Sequence, residues 1–281
     1  DDPENQIFYA MLEGLYSGHP IRVPIAGTIE SISHITADTL YACHKAFYNP
    51  ANMVLCVAGN VDAEQICAMA REILPGEGNG DIQRDYGEAE DGKAAKSRTE
   101  LKMEVSTPLF QIGWKADSAP AGEERLRRQL IGELACEALF GSSSPLYAKL
   151  YADGLVNNSF AYGYEAYPAC AYLCAGGESK DPDAVNAAIA QEAVRVGRAG
   201  VDAGLFNRLK KAAYGARVRS LNSFESICIN LAQSHFAGVE YFRFPEVFDS
   251  IGKKDVEDCI RSYVTPERTA LAVVAPREER T

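Results

Sequence analysis

Residue types that commonly carry metal or acid–base chemistry are sparse in this chain. Zinc sites need several nitrogen, sulfur or oxygen ligands held close together, so isolated histidines favour a structural role. No two histidines stand three or four positions apart, and the sequence contains neither H-E-x-x-H nor H-x-x-E-H. We expect helix-end or loop packing for each histidine, with an isolated metal ligand as the alternative. The four are His19, His34, His44 and His235.

The eight cysteines also lack a metal or redox motif, because no two of them form a C-x-x-C pair. Cys170 and Cys174 lie four apart on a predicted strand, so their side chains share one face of the sheet. We predict buried free thiols that behave as small hydrophobes. Such usage is typical of a reducing cytoplasm. The cysteines stand at positions 43, 56, 67, 136, 170, 174, 228 and 259.

Two small-residue stretches resemble nucleophile or phosphate sites only in composition. Gly141-Ser142-Ser143-Ser144 is not the G-x-S-x-G of a nucleophile elbow, and it falls between two predicted helices, where a turn and helix cap are expected. Gly176-Gly177 lacks the spacing and the lysine of a phosphate loop. A strand-end turn explains the second stretch.

Basic and aromatic side chains form two further clusters. A basic helix near residues 208–219 is expected to be a solvated face, with a positive wall facing a substrate chamber as the alternative. Tyrosines crowd the middle strands, where they are expected in the core or on the sheet surface, or as a surface that holds other side chains. The two sets are Arg208, Lys210, Lys211, Arg217 and Arg219, and Tyr147, Tyr151, Tyr162, Tyr164, Tyr167 and Tyr172.

The composition is that of a globular protein with a large core. The chain has 281 residues, a formal net charge of −11 and a pI near 5.0. Nucleic-acid binding requires a basic surface, so the charge excludes that class of partner. No apolar run approaches the roughly 20 residues that span a bilayer, and we expect no membrane contact.

Periodicity places helices and strands in an order typical of an α+β fold. Helices are predicted over 4–16 and 29–47, a buried strand over Met53–Ala58, and a helix that Asp62 caps. Beyond residue 98 the pattern predicts four strands, several capped helices and a last strand from Thr269 to Val274. The sum predicts helices covering one face of a mixed, mostly antiparallel sheet.

One stretch occurs twice, 216 positions apart and without a gap. Residues 35–60 read ITADTLYACHKAFYNPANMVLCVAGN, and residues 251–276 read IGKKDVEDCIRSYVTPERTALAVVAP. Both contain a helix pattern, an aromatic residue, a turn proline and an apolar run. The repeat predicts two related domains, of which the first is incomplete at Asp1.

The repeat and the composition divide the chain into three segments. Residues 1–75 are predicted to be the C-terminal part of the first domain, and residues 99–281 a complete second domain. Residues 76–98, rich in glycine and carboxylates, are predicted to be an exposed linker.

The stretch GHPIRVPIAGTIESISHIT…FYNPANMVLCVAGNVD (18–62) resembles the pitrilysin/insulinase family of zinc peptidases. LFGSSSPLYAKLYADGLVNNSFAYGYE (139–165) resembles the small-residue turn, helix and strand of the partner domain in that family. The resemblance covers the whole chain and is nearest to a bacterial cytoplasmic branch named for elongation-factor P modification. It implies two related metallopeptidase-type (LuxS/peptidase-like) domains.

The resemblance also implies where the metal site belongs. In this family the first domain carries H-x-x-E-H, whose two histidines bind zinc and whose glutamate acts as general base, and a later glutamate is the third ligand. All three ligands are expected upstream of Asp1. Zinc is therefore expected in the intact protein, and this chain alone is predicted to hold none and to be inactive.

Substrate contacts are expected from the second domain. The family holds its substrate with an Arg and a Tyr in a segment like 150–158, but this sequence has Tyr151 and Val156-Asn157-Asn158 there. That function is expected to come from a partner subunit. The substrate-binding residues predicted in this chain are Tyr147, Tyr151, Phe160 and Tyr162.

The resemblance therefore implies the C-terminal portion of a cytoplasmic zinc-dependent metalloendopeptidase. Two halves, in a homo- or heterodimer, would form a clamshell chamber around a peptide or protein substrate. The alternative is a non-catalytic structural subunit of such a heterodimer. An unrelated two-domain binding protein is a third possibility.

Overall fold

A computed structural model of the chain describes residues 2–74 and 83–277. The chain forms two compact units. Unit 1 consists of Asp1–Val23, Tyr86–Gly215 and Arg243–Thr281, and unit 2 consists of Pro24–Asp85 and Ala216–Phe242.

The strands of unit 1 form one five-stranded mixed sheet with the order β1-β5-β2-β4-β3. β1 runs parallel to β5, and the other three pairs are antiparallel. The predicted mixed, mostly antiparallel sheet is therefore confirmed. The strands are β1 (Arg98–Met103), β2 (Leu109–Ala116), β3 (Ala161–Tyr167), β4 (Cys170–Glu178) and β5 (Thr269–Pro276).

Helices begin where the sequence provides side-chain caps. Asp2 accepts a hydrogen bond from the Glu4 N–H at the start of α1, and Ser144 caps α6 with Pro145 in the first turn. The α-helices of the described residues are α1 (Pro3–Leu15), α2 (Ile29–Ser33), α3 (Ala37–Phe47), α4 (Ala63–Ile73), α5 (Glu123–Phe140), α6 (Pro145–Ala152), α7 (Pro182–Ala199), α8 (Ala203–Ser220), α9 (Phe224–Ala237), α10 (Phe244–Asp249) and α11 (Lys253–Tyr263).

Helices cover both faces of the unit 1 sheet. α5, α7 and α11 pack on one face over the main core, whose largest buried side chains include Trp114, Phe140 and Leu130. α1 packs on the other face over β1, β5 and β2 and buries Met11 and Leu15 there. The expectation that helices cover a single face is wrong, because α1 brings a second apolar surface onto the sheet.

Two positions without a side chain let α1 lie close to the sheet. A Cβ at Gly113 would lie 2.7 Å from Leu15 Cδ1 and 2.9 Å from Met11 Sδ. A Cβ at Gly14 would lie 2.8 Å from the Ala270 Cβ. Real Cβ atoms do not approach other atoms so closely, so larger residues at either position would push the helix away from the sheet.

A buried ion pair secures the C-terminal end of α1. The Lys115 Nζ on β2 lies 2.6 Å from Glu90 Oε2, and both side chains are largely buried. The Glu90 carboxylate also accepts hydrogen bonds from the backbone N–H groups of Ser17, Gly18 and His19. One carboxylate therefore joins β2, the residues that follow α1 and the segment around residue 90.

Burial by itself raises the pKa of the Glu90 carboxyl. The hydrogen bonds from Lys115 and from the backbone of Gly18, His19 and Ser17 outweigh burial, and they lower the pKa to about 2. Glu90 is therefore ionised in the folded protein at neutral pH and well below it.

The predicted linker 76–98 lies partly outside the described residues, since residues 76–82 are not described. Its later part is hydrogen-bonded to unit 1. The Ala94 N–H donates to the Glu267 carbonyl, the Lys96 N–H donates to the Gly14 carbonyl, and the Ser97 carbonyl accepts from Leu271. Low apolar content made the segment resemble a free linker, but Glu90 and the backbone groups of residues 94–97 attach its later part to unit 1.

Unit 2 contains the first copy of the repeat, and its local structure matches that of the second copy. α3 and α11 have 11 residues each and begin at equivalent positions. Each is followed at the same distance by a 3-10 turn, Pro50–Asn52 in one copy and Pro266–Arg268 in the other. The predicted repeat is thus present as structure through the turn.

The two copies differ after the turn. The second continues as β5, whereas the predicted strand Met53–Ala58 is not formed in the first. β5 lies between β1 and β2 and pairs with both, but no described strand lies beside residues 53–58. Strand formation requires a hydrogen-bonding neighbour, so the same local sequence pattern has two outcomes.

The same difference appears in side-chain burial. Ile251 is 1% exposed and its counterpart Ile35 is 49% exposed. Leu271 is 4% exposed and Leu55 is 63% exposed. No described residue of unit 2 is buried, which leaves an unusually apolar surface on that unit.

The single predicted helix 29–47 is two helices, α2 and α3, because Thr28 and Thr36 each cap a new helix.

The predicted division into domains at residues 75 and 99 rests on the relation between the two domains, and it stays a prediction. In residues 2–74 and 83–277, no helix has both the length and the apolar composition that a bilayer span requires.

Hydrogen exchange should distinguish the two copies of the repeat. We expect the amides of residues 270–275 to exchange at least about a hundredfold more slowly than those of residues 53–58, because only β5 has ladder partners. Mass spectrometry of peptides from the two segments measures this ratio. Equal protection would contradict the difference in pairing, and protection of 53–58 that rises with protein concentration would indicate self-association through that segment.

Glu90→Gln should change the acid stability of the chain. The usual carboxyl pKa of 4.5 falls to about 2 in the folded state, so the stability that Glu90 contributes is complete above pH 4.5 and is lost as the pH falls toward 2. At pH 7 we expect the variant to lose about 3 kcal/mol in the free energy of unfolding. Between pH 4.5 and 2 its stability should depend less on pH than that of the parent.

Urea unfolding followed by circular dichroism at several pH values measures both effects. Glu100→Gln on β1 is the matched control, because the Glu100 side chain is about half exposed. The control should differ from the parent by no more than about 0.5 kcal/mol. A Glu90→Gln variant that behaves like the control would show that the ion pair does not secure α1.

Candidate functional site

The four aromatic residues predicted to bind substrate lie together in unit 1. The ring centroids of Tyr147 and Phe160 are 6.0 Å apart, those of Phe160 and Tyr162 are 6.4 Å apart, and Tyr151 stacks on Tyr147 at 5.9 Å. Such separations are typical of favourable aromatic pairs. We call these four residues the aromatic cluster.

Most of the aromatic cluster belongs to the protein core. Phe160 lies 6.2 Å from Phe140 and 6.3 Å from Phe110, and both of those rings are buried. Tyr147 and Tyr162 are partly buried against the same core. These three side chains therefore stabilise the end of the sheet, whatever else they contact.

Tyr151 is the most exposed member of the aromatic cluster. Its exposed fraction is 51%, and it lies in the last turn of α6, with Lys149 two residues earlier. Burial raises the pKa of the Tyr162 hydroxyl, and the hydrogen-bonded Glu137 carboxylate raises it further. Tyr162 is thus a neutral phenol at neutral pH, and Tyr151 presents the largest exposed aromatic surface of the cluster.

A groove lies on the opposite face of the sheet, beside α1. It has a volume of about 430 Å³. Gly113, Cys174 and Gly163 lie opposite one another on β2, β4 and β3, and directly opposed residues share a face. Because Gly113 contacts α1, this row continues from beneath the helix onto an uncovered part of β4 and β3.

The floor of the groove consists of small residues. A Cβ at Gly163 would have only Cys174 Sγ near it, at 4.0 Å. Gln111 lies over Gly176, where a Cβ would be 1.9 Å from Gln111 Oε1. Burial raises the pKa of the Cys174 thiol to about 11, so the thiol is uncharged at neutral pH. The groove therefore has room for a ligand above a neutral floor.

The walls of the groove differ in chemistry. Ile7, Phe8 and Leu109 form an apolar side, and Glu4, Glu165 and Glu178 provide carboxylates. The described lining residues include no Lys, Arg or His. Asn157 donates a hydrogen bond to Glu178, and the Tyr167 hydroxyl donates one to Glu165, so these two carboxylates are held in position.

The predictions made from sequence did not include this groove. Its acidic residues are far apart in the chain, and Gln111 is an ordinary strand residue in the sequence. The available signal was the glycine content of neighbouring strands, at Gly163 and Gly176. Those glycines mark the floor only once the strands are paired and α1 is placed.

The described histidines are occupied by structural contacts. His19 is buried, its Nδ1 accepts a hydrogen bond from the Ile21 N–H, and its Nε2 donates to the Pro168 carbonyl. His44 stacks on Tyr48, and His235 packs edge-on against Phe236. His34 ends α2. Helix-end or local packing, as predicted, accounts for these contacts.

The side chains that the structure describes do not fit a zinc ion. Among residues 2–74 and 83–277, no group of three or more His, Cys, Asp or Glu side chains is arranged to hold a metal. Zinc requires three protein ligands at a catalytic site and four at a structural site.

The cysteines, the serine turn and the basic helix singled out in the sequence have environments that the fold explains. Cys136, Cys170 and Cys259 are buried thiols as predicted, but Cys43 and Cys67 are exposed on unit 2, where no core covers them. Ser144 caps α6, which confirms the predicted role of the serine turn. Lys210 of the basic helix donates to the carbonyls of Asp249 and Ile251 and lies over the Phe248 ring.

Substitutions in the aromatic cluster should distinguish its core residues from its surface residue by their effect on the free energy of unfolding. Phe160→Ala removes a ring that contacts several others, so we expect it to lower the free energy of unfolding by about 3 kcal/mol. Tyr151→Ala removes an exposed ring and should change that energy by less than about 0.5 kcal/mol. Urea unfolding of both variants tests this, and a larger loss for Tyr151→Ala would reverse the assignment.

Comparisons with known proteins agree on one family. The sequence profile of the family described as "Peptidase M16 inactive domain" matches residues 34–213, which is well over half of the chain. An uncharacterised zinc protease of Bacillus subtilis (strain 168), YmfH, is 32% identical over 281 residues. That alignment covers 99% of this chain and 65% of the relative, so the chain spans just under two thirds of the length of YmfH.

Solved structures share the fold. The crystal structure of an M16-like peptidase from Alicyclobacillus acidocaldarius superposes with a TM-score of 0.89 at 27% identity, over 99% of this chain and 67% of that chain. A protease from Helicobacter pylori superposes with a TM-score of 0.83 at 14% identity, over 98% of this chain and 67% of its own. The second likeness concerns the fold alone. Profile, relatives and fold together show that this chain belongs to the M16 peptidase family.

Proposed function

We propose that this chain is the C-terminal portion of a zinc-dependent metalloendopeptidase whose zinc ligands precede Asp1. The observation that carries the proposal is the match to YmfH, a zinc protease by name, of which this chain spans 65%. The described residues hold no zinc site of their own. The motif at 18–62 supports the finer assignment to the pitrilysin/insulinase type and to the branch named for elongation-factor P modification.

Two related domains would form one half of a peptidase. The matching α3 and α11 support the proposed relation between residues 1–75 and 99–281. The unpaired segment 53–58 supports an incomplete first domain, because its counterpart β5 has a strand on each side. In the longer protein, residues 53–58 would be the corresponding inner strand of a second sheet.

Unit 1 would serve as a wall of the substrate chamber and bind the peptide without performing chemistry on it. Tyr151 is the best-placed of the proposed peptide contacts, since its ring is exposed and it stacks on Tyr147. Phe160 and Tyr162 would position that surface from below. A second peptidase-like half, identical or different, would close the chamber.

We also propose a cytoplasmic location. All eight cysteines are free thiols in the structure, and the buried ones are packed as hydrophobes. Cys43 and Cys67 are exposed free thiols, which persist most readily in a reducing compartment.

The test is to determine the coding sequence upstream of Asp1 and to express the longer protein. We expect an H-x-x-E-H motif, one zinc ion per chain by elemental analysis, and cleavage of a quenched fluorescent peptide at an internal bond. Chelation and a Glu→Gln change in the motif should abolish cleavage. The 281-residue chain is the matched control and should neither cleave the peptide nor retain zinc.

Absence of the motif together with absence of cleavage would overturn the proposal in favour of a non-catalytic subunit.

Tyr151→Ala in the longer protein should raise KM about threefold with kcat little changed, because one aromatic contact is worth about 0.5–1.5 kcal/mol. An unchanged KM would remove Tyr151 from the substrate surface and leave the peptidase assignment intact.

A further inference from the structure

We propose that the groove between α1 and β3 binds an extended peptide segment in which a basic side chain adjoins an apolar one. The inference names the class of substrate that the groove would bind. It rests on the proposed function, because that function makes peptides the ligands. The groove belongs entirely to unit 1 and is separate from the aromatic cluster, except that Tyr162 borders it.

The first argument is the space that the fold leaves open. α1 covers β1, β5 and β2, and the sheet continues through β4 to β3, which is an edge strand. On this face Gly163 of β3 and Cys174 of β4 are partly exposed, although neither residue lies at an end of its strand. A floor of glycines allows another backbone to approach closely, as a bulky floor would not.

The second argument is charge. Glu4, Glu165 and Glu178 line the groove, and no basic side chain among the described lining residues neutralises them. Glu165 and Glu178 are oriented by hydrogen bonds from Tyr167 and Asn157. A lysine or arginine side chain of a ligand complements this arrangement, whereas an acidic side chain is repelled by it.

The third argument is the combination of an apolar wall with a free amide. Ile7, Phe8 and Leu109 offer contact to an apolar side chain next to the carboxylates. The side-chain amide of Gln111 makes no hydrogen bond with any other residue that the structure describes, and it lies over Gly176 within the groove. An amide has both donor and acceptor atoms, which match the C=O and N–H of a peptide backbone.

The volume agrees with a short segment. A groove of about 430 Å³ is within the range of sites that bind small molecules and short peptides. The ligand is therefore a few residues of extended chain with its basic group near Glu165 and its apolar group against α1.

Fluorescence anisotropy with the 281-residue chain tests the proposal. Three labelled peptides of one length carry an Arg-Leu, a Gln-Leu or a Glu-Leu pair at the centre. We expect the Arg peptide to bind at least about tenfold more tightly than the Glu peptide, with the Gln peptide between them, and added salt to weaken the preference.

Variants locate the binding. Gly163→Leu fills the floor and should abolish binding; the site has room for the side chain near Cys174, so the variant should fold. Glu165→Gln should weaken Arg-peptide binding about threefold and leave Gln-peptide binding unchanged. Glu100→Gln, a carboxylate on β1 outside the groove, is the matched control and should bind as the parent does.

Equal binding of the Arg and Glu peptides would overturn the proposal, as would parent-like binding by both Gly163→Leu and Glu165→Gln. Circular dichroism of each variant confirms that a loss of binding is not a loss of fold. The assay requires neither zinc nor cleavage. Its failure therefore leaves the peptidase assignment standing, and failure of the peptidase test leaves a measured peptide site.

Discussion

The packing of α1 on the sheet depends on one largely buried carboxylate, that of Glu90. Its carboxylate forms a salt bridge with Lys115 and accepts backbone hydrogen bonds from the residues that follow α1. Removing it would leave the buried Lys115 ammonium group without its counter-charge and three backbone N–H groups without this acceptor, which is costly inside a protein. The interaction joins segments that are far apart in sequence. Its effect is therefore on how the elements of unit 1 are arranged and not on the stability of one helix or strand.

The position of α1 decides what the rest of that sheet face can do. Gly14 and Gly113 allow the helix to pack closely over β5 and β2, and the face of β4 and β3 stays open. The helix thereby becomes one wall of the groove, with Phe8 facing it. On the opposite face the aromatic cluster is mostly core. The face beside α1 therefore carries both a buried core and the groove, and on the other face Tyr151 is the exposed member of the aromatic cluster.

Several features were predictable from sequence because local interactions determine them. Capping by Asp2 and Ser144 sets helix starts, and the repeat at residues 35 and 251 carries helix and turn into both copies. The strand at 53–58 was not predictable in this way, since a strand needs neighbours. Nor was the role of Glu90, which resembled any other acidic residue of a glycine-rich segment.

Residue types and their spacing were enough to indicate an α+β chain, the acidic charge, and a set of histidines and cysteines without zinc-ligand spacing. Those properties follow from residue type and short-range spacing. The burial of Leu271 and the exposure of Leu55 follow from contacts between distant segments, as does the placement of Gln111, Glu165 and Glu178 along one groove. The physical reason is that burial, strand pairing and charge clustering depend on which distant segments become neighbours, and no local pattern contains that information.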